Sequence, residues 1–438
     1  MAVASLGCKM NAGEAEATLG AFIAAGYRPV KFGEPAEVCV VHTCTVTGRA
    51  DCRSRSLLRR AAGSVVPGGR LIAAGCYAAT DPELLGRLPG VTDVLPLVGE
   101  DLLSAVQGRA VEEKRWPEVS GGFLRRTRAF LEVQDGCDGA CSYCKVRLAR
   151  GRARSRPIAD ARAALERLVA AGHREVVLTG VHLGAWGREC GAGLTDLLRA
   201  LLEIPGLARL RLSSIEPDEL TAELIDLAAD SGGKIAPHFH VPLQSGADGV
   251  LRRMNRPYTA GRALENIGYA ARRITRLGLG LDVMVGFPGE TEADFTRTVE
   301  AVEKSGAAYL HVFSFSPRTG TAAEHLGDRV PSLVKKERSR ALRALSAELA
   351  HDFAERNMGA RVRLLVERRR SCSGKQTGVT GNYLRGELGD APENLGGRLV
   401  LGEVVALHPE PSLTRPGHGP ATVLVLSLIH ISEPTRPY

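Results

Sequence analysis

Aromatic residues make up only 5% of this 438-residue chain, with two tryptophans, while glycine reaches 50 and arginine abounds. That bias is what a GC-rich genome produces, so it carries no functional weight. Long apolar runs are also missing: no uncharged stretch reaches the ~18 residues of a helical membrane span. The first residues, Met1 to Asn11, have no basic segment followed by a long apolar one, which excludes a cleaved secretory signal. No repeat of solenoid period is present. The chain is therefore expected in the cytoplasm, where thiols stay reduced. Its ten cysteines point to metal ligation or catalysis and not to disulfides. A composition of 44% hydrophobic and 24% charged residues is ordinary for a soluble globular protein. The net charge of +8 and pI near 9.0 permit an acidic partner such as nucleic acid.

The length allows two or three domains. Over residues 1–110, short apolar runs (Val3–Leu6, Val38–His42, Leu71–Ala74, Val94–Leu97) alternate with amphipathic stretches (Glu14–Ala25, Arg53–Ala62, Pro82–Leu88, Asp101–Gln107). This predicts an α/β domain with a parallel sheet. A charged linker, Val111–Arg128, follows. Residues 123–357 alternate again, with strands at Ala129–Gln134, Glu175–Leu178, Leu207–Leu212, His238–Val241, Leu281–Val285 and Tyr309–Phe315. Six β/α units fit a partial barrel better than a closed eightfold one. Polar signals follow these strands directly: Gly136-Cys137, Thr179-Gly180-Val181-His182, Ser213–Pro217, Pro242–Gly246, Gly286–Glu290 and Ser316-Pro317-Arg318. Parallel β/α sheets build sites at strand C-termini, so the set converges on one mouth.

A charged helix, Ser332–Asn357, leads to β-like segments Arg361–Glu367, Lys375–Leu384 and Arg398–Leu407, a small β-barrel over 358–410. Residues 411–438 read as a tail. From about Leu426 it looks like the translation of a sequencing-library adapter and is expected to stand outside the fold.

Cys137, Cys141 and Cys144 form a C-x3-C-x2-C loop straight after a predicted strand, with Tyr143 before the last thiol. Three thiolates on one tight loop hold three irons of a cubane cluster, and the fourth iron is left to chelate S-adenosylmethionine. A structural zinc site would want a fourth ligand, and none is near in sequence. Cys8, Cys44 and Cys76 each fall at the end of a predicted strand of the first domain. If those strands are parallel neighbours, the thiols meet at one sheet edge as a second set of three ligands. The other reading is three small buried residues at loop starts. Cys39 suits core packing, and Cys52, Cys190 and Cys372 have no partners in sequence.

Lys145, Arg147, Arg150, Arg152, Arg154 and Arg156 form the strongest basic run, with no acid before Asp160. A solvated face is the plain reading of such a run. Its place beside the cluster loop favours a clamp on RNA phosphates. Arg361–Arg363 and Arg368–Arg370 could add RNA contacts, and Tyr383 either stacks on a base or packs in the barrel. His182, His238, His240 and His311 are expected to pack rather than to bind metal.

The segments Leu6-Gly7-Cys8-Lys9-Met10-Asn11, His42-Thr43-Cys44-Thr45-Val46-Thr47 and Gly75-Cys76-Tyr77-Ala78 resemble the three cluster segments of the methylthiotransferase family within the radical S-adenosylmethionine superfamily. The Cys137–Cys144 loop, continuing into Ala149–Arg156, is also similar to that family, and the last barrel resembles a TRAM domain. Leu178–Gly184 and Leu212–Pro217 are similar to its MtaB-type branch. The family usually has Asn where His42 stands, and an apolar-Pro-aromatic sequence where Val146-Arg147-Leu148 stands. The resemblance implies two [4Fe-4S] clusters, on Cys8, Cys44 and Cys76 and on Cys137, Cys141 and Cys144, together with S-adenosylmethionine. It implies 2-methylthiolation of N6-threonylcarbamoyladenosine in the anticodon stem-loop of tRNA. The alternatives are isopentenyladenosine in tRNA, a ribosomal protein, or a non-enzymatic metal-binding RNA-binding protein. Carbon 2 of adenine is an unactivated C–H, which calls for radical chemistry carried by the cofactor. An electron carrier such as flavodoxin or ferredoxin is implied as partner, while no sulfur donor is named. By position, Thr179 and Gly180 suit the methionine amino group, Glu216 and Gln244 ribose or methionine polar atoms, the backbone at Gly286 the adenine, and Tyr143 the cofactor beside the loop. For Glu216 an N-cap before Pro217 is an equal reading. Gly286–Glu290 is no phosphate loop, since no Gly-Lys-Ser/Thr follows.

Overall fold

The computed structural model describes residues 1–111, 115–118, 127–371, 374–389, 391–408 and 423–431. Its first sheet is β1 (Ala2–Ser5), β2 (Ala36–Thr43), β3 (Val65–Gly75) and β4 (Asp93–Val94), in that spatial order and parallel throughout. The apolar run of β2 divides between two faces. Val38 and Val40 pack with Phe22, Ile72 and Leu102, whereas Cys39 and Val41 pack with Leu58, Leu71 and Leu85. Burial on both faces is why the run reads as continuous.

Helix α1 spans Lys9–Ala24 and opens directly after Cys8, five residues before the start expected from periodicity. Asn11, Gly13, Glu14 and Glu16 are buried in it beside apolar residues, so its first turns show no polar face to read. Helix α2, Gly48–Ala62, is capped by Thr47, whose side chain accepts from the Ala50 amide.

The central unit has strands β5 (Ala129–Glu132), β6 (Gln134–Asp135), β7 (Arg154–Ser155), β8 (Glu175–Thr179), β9 (Arg209–Leu212), β10 (His238–Gln244), β11 (Gly278–Val285) and β12 (Tyr309–Ser314). Two parallel three-stranded sheets, β5-β8-β9 and β10-β11-β12, meet through bridges Leu210–Ile235 and Ser214–His240. The result is the partial six-stranded barrel, with β5 and β12 at its edges. The short antiparallel pair β6–β7 was not foreseen. It staples the chain on both sides of the Cys137–Cys144 loop.

The last unit is a closed barrel of β13 (Arg361–Arg370), β14 (Gln376–Thr380), β15 (Arg385–Leu388), β16 (Leu399–His408) and β17 (Val423–Ile431), in the order β13-β14-β15-β17-β16. The barrel thus extends past the expected limit at residue 410, into the stretch that looks like an adapter translation. The apolar run Val423–Ile431 fills the gap between β15 and β16 and buries Leu426 in the barrel core. The rest of the predicted tail lies outside the described residues. Arg209 and Arg211 dock this barrel on the central unit. They donate to the carbonyls of Arg363 (3.0 Å), Val379 (3.1 Å), Thr380 (2.9 Å) and Gly381 (2.9 Å). Glu175 sits between the two guanidiniums at 2.5 and 2.8 Å.

Candidate iron–sulfur and nucleoside site

The register of the first sheet pairs Ser5 with His42 and Thr43 with Gly75, so Cys8, Cys44 and Cys76 leave the same sheet edge. Asn11 holds the three segments together. Its Nδ2 donates to Leu6 O (2.7 Å) and Thr43 O (2.9 Å), and its Oδ1 lies 3.9 Å from Cys76 Sγ. Gly7, at φ +108°, lies so close to Cys44 that a Cβ would come within 2.7 Å of the Cys44 Cβ. The Ser54 hydroxyl both accepts from the Cys44 amide (3.1 Å) and donates to its carbonyl (3.0 Å). Burial pushes the thiols of Cys44 and Cys76 up to about 11 and about 12. His42, on β2, is fully buried and bonded to Thr18 (3.0 Å). Burial lowers it to about 4, so it stays neutral in the core.

Gly136 precedes Cys137 at φ +69°, and a Cβ there would lie 1.9 Å from Arg152 O. Only glycine fits this crossing. The Cys137 amide donates to Gly151 O at 3.1 Å, closing the loop base. The Gly139 amide points at Cys137 Sγ (3.2 Å), and Arg256 Nη1 lies 3.2 Å from Cys141 Sγ. Tyr143 packs edge-on against Phe287, which does the same with Phe315. Burial pushes the Cys144 thiol up to about 11.

His182 was expected to pack, and the structure places it against the loop. Its Nδ1 is 3.5 Å from Cys137 Sγ and its Nε2 is 2.8 Å from Glu219. Burial would lower His182, but these two partners outweigh it and raise it to about 10. With both nitrogens engaged, it bears a proton beside the sulfur instead of adding a fourth ligand. The Cys137–Cys144 loop thus offers three thiols to a [4Fe-4S] cluster, which leaves one iron without a protein ligand. Arg256 and Glu219 carried no sequence signal, because each depends on a contact between distant segments; Asn11 stood in the Leu6–Asn11 motif without a role.

The positions suggested for the cofactor divide. Gln244 stands at φ +62°, and its buried Oε1 has no partner, as expected of a group that awaits a ligand. The Gly286 amide donates to Glu290 (2.7 Å) and is not free for adenine. Thr179 donates its hydroxyl to Leu131 O (3.3 Å) and its carbonyl accepts from the Val133 amide (3.0 Å), so the hydroxyl oxygen can still accept. A Cβ on Gly180 would come within 3.0 Å of Gln134. Glu216 pairs with Arg256 through one carboxylate oxygen.

The basic run requires the main correction. Lys145 is buried against Asp81 (2.7 Å), and Arg156 against Glu118 (2.9 Å). Arg154 stacks 4.1 Å over Trp116. Arg150 is held by Glu14 (2.8 Å) and Asp135 (3.0 Å), with Nε 3.2 Å from Cys76 Sγ. Only Arg147 and Arg152 remain exposed, Arg152 with Asp138 at 3.3 Å beside it. A string of positive letters does not show that its counter-charges come from other parts of the chain. Arg363 likewise donates to Gly233 O (2.9 Å), at the docking face. Arg318 reaches from the central unit to Thr45 O (3.0 Å) and Asp51 (2.7 Å) of the first unit. Among the other cysteines, Cys39 is core and Cys372 lies outside the described residues.

Inside the barrel, His240 and His311 lie 3.1 and 3.3 Å from Asp282. Burial would raise that carboxyl, but the two imidazoles hold it well below the usual carboxylate range. Tyr383 neither fills its own barrel nor faces solvent. It enters the central unit beside His238, at 4.5 Å between ring centroids.

The family described as Radical SAM superfamily matches residues 131–302, and the Uncharacterized protein family UPF0004 matches residues 1–96. The thiol loop at the mouth of an open six-stranded barrel thus defines a radical S-adenosylmethionine enzyme, which works with S-adenosylmethionine and a [4Fe-4S] cluster. A solved radical S-adenosylmethionine methyltransferase, TsrM from Kitasatospora setae, shares the fold at 16% identity and a TM-score of 0.54, covering 74% of this chain and 76% of that one. The threonylcarbamoyladenosine tRNA methylthiotransferase MtaB of Bacillus subtilis is 35% identical over 404 residues, 87% of this chain and 88% of that protein. The protein of the same name from Aquifex aeolicus is 35% identical over 380 residues, 84% of this chain and 92% of that one. The chain belongs to this MtaB family of radical S-adenosylmethionine methylthiotransferases. No helix among the described residues is long and apolar enough to cross a membrane.

Proposed function

We propose that the chain converts N6-threonylcarbamoyladenosine beside the anticodon of tRNA into its 2-methylthio derivative in the cytoplasm. The carrying observation is that Arg150, on the segment after the Cys137–Cys144 loop, reaches Cys76 of the first unit and Asp135 just before that loop. Cys137, Cys141 and Cys144 would hold the cluster that binds S-adenosylmethionine, and Cys8, Cys44 and Cys76 a second one. The pair supplies the radical and sulfur chemistry that an unactivated aromatic carbon requires.

The chain's own residues set the stage for it. Asn11 fixes the spacing of the first triplet. Arg150 presents an N–H to Cys76, and Arg256 and His182 do so to Cys141 and Cys137, which favours the anionic sulfur. Gln244 offers its free oxygen to the cofactor's polar atoms. Arg147 and Arg152 remain for RNA phosphates, and a carrier such as flavodoxin or ferredoxin would bring the electron. Mass spectrometry of tRNA nucleosides from strains with and without the gene tests the reading. Selective loss of 2-methylthio-N6-threonylcarbamoyladenosine supports it; loss of the isopentenyl counterpart, or no change, overturns it.

A further inference from the structure

Three cations surround one ring inside the barrel. Lys9 Nζ lies 5.9 Å, Arg128 Cζ 5.8 Å and Arg211 Cζ 5.1 Å from the centroid of Tyr383. The groups come from all three units: Lys9 from the start of α1, Arg128 from just before β5, Arg211 from β9, and Tyr383 from the turn between β14 and β15, at φ +72°. Arg211 shares Glu175 with Arg209, Glu367 is the other carboxylate close enough to act on Arg128, and Arg128 hydrogen-bonds the Tyr383 hydroxyl. Among the described residues, no carboxylate pairs with Lys9 or Arg128. Lys9, Arg128 and Tyr383 are half-buried where the three units meet. An excess of enclosed cations over carboxylates is costly, and such an excess persists where an anion is to be received.

The substrate of the proposed reaction carries one anionic group on its base, the free carboxylate of the threonine moiety. An isopentenyl group carries none and would call for an apolar lumen. Resting on that functional reading, we propose that Lys9, with Arg128 and Arg211, receives the threonylcarbamoyl carboxylate and so selects which modified adenosine enters. Lys9 follows Cys8 directly, so the carboxylate is pinned within a lysine's length of a first-unit thiol. The methionine carboxylate of the cofactor belongs elsewhere. Arg128 precedes β5, and His238 and Tyr309 open β10 and β12, at the end of the barrel opposite the Cys137–Cys144 loop.

The test compares stem-loop RNAs bearing threonylcarbamoyladenosine as the free acid and as its methyl ester. Reconstituted full-length protein and its Lys9→Met and Lys9→Arg variants are each assayed. The natural chain should prefer the acid at least tenfold in kcat/KM, equivalent to about 1.4 kcal/mol. In Lys9→Met the acid-to-ester ratio should fall close to one, and in Lys9→Arg it should largely return. A ratio cancels general losses of folding or iron. Should Lys9→Met have no turnover, the same ratio is read from the affinity of cluster-free protein for the two RNAs, by fluorescence anisotropy. Equal rates on acid and ester in the natural chain, an unchanged ratio in Lys9→Met, or an effect confined to the KM for S-adenosylmethionine overturns the receptor. Preference for isopentenyladenosine RNA, or no reaction with either RNA, would instead overturn the functional reading.

Discussion

Arg150 Nε lies 3.2 Å from Cys76 Sγ, although the two residues belong to different units of the chain. The same guanidinium contacts Glu14 (2.8 and 3.1 Å), Asn11 (3.1 Å) and Asp135 (3.0 Å). One side chain thus sets the distance between the first-unit thiols and the loop that begins one residue after Asp135. It also supplies positive charge to a sulfur that burial would keep protonated.

Replacing Arg150 by Met leaves Glu14 buried without its cation and Asp135 with Arg154 at 3.7 Å, a loss on the order of 3–5 kcal/mol. A lower thermal unfolding midpoint is expected in calorimetry. The salt dependence of tRNA binding should not change, because Arg150 is not a phosphate contact. Arg147→Ala and Arg152→Ala, by contrast, should each reduce the slope of log affinity against log salt by about 1. Filter binding at a series of salt concentrations separates the two behaviours.

The two thiol sets should separate chemically. A Cys8→Ala, Cys44→Ala, Cys76→Ala triple variant is expected to lose half its bound iron, to cleave S-adenosylmethionine still, and to transfer no methylthio group. Cys137→Ala should abolish both cleavage and transfer. Iron analysis with product chromatography reads all three; full transfer by either variant refutes the two-cluster arrangement.

Gly136→Ala should act as a local lesion. Its Cβ would collide with Arg152 O at 1.9 Å, and φ +69° disfavours any side chain. Iron held by the Cys137–Cys144 loop should be lost while that of the first unit stays. Equal iron in variant and parent would contradict the crossing seen here.

Docking of the last barrel should depend on pH through Glu175. Burial alone would raise its pKa, but Arg209, Arg211 and Arg128 bring it down to about 2. A carboxylate lowered in the folded state stabilises fully above its ordinary value near 4.5, and the benefit fades as pH falls through about 2. The shift corresponds to roughly 3 kcal/mol. Acid titration of the unfolding midpoint should show a decline over this window. In Glu175→Gln the midpoint should start lower and this component of the decline should be missing.

Much of the fold could be read from local pattern. The strands of the first sheet, the six of the barrel and the polar segments after them follow from apolar runs bounded by Gly and charge. Helix α1 began earlier than its pattern suggested because its polar residues face a neighbouring unit. Strand β17 is a largely apolar run, and only the gap between β15 and β16 gives it a place in the fold.

The amino-acid order alone determined where thiols occur, their C-x3-C-x2-C spacing, and their position at strand ends, because these are local properties of a chain. Only the tertiary structure decided which charges were free. Lys145, Arg150, Arg154 and Arg156 meet partners far away in sequence, whereas Lys9 and Arg128 meet each other around Tyr383. Pairing of charges depends on distance in space, and only the packing of three units sets that distance.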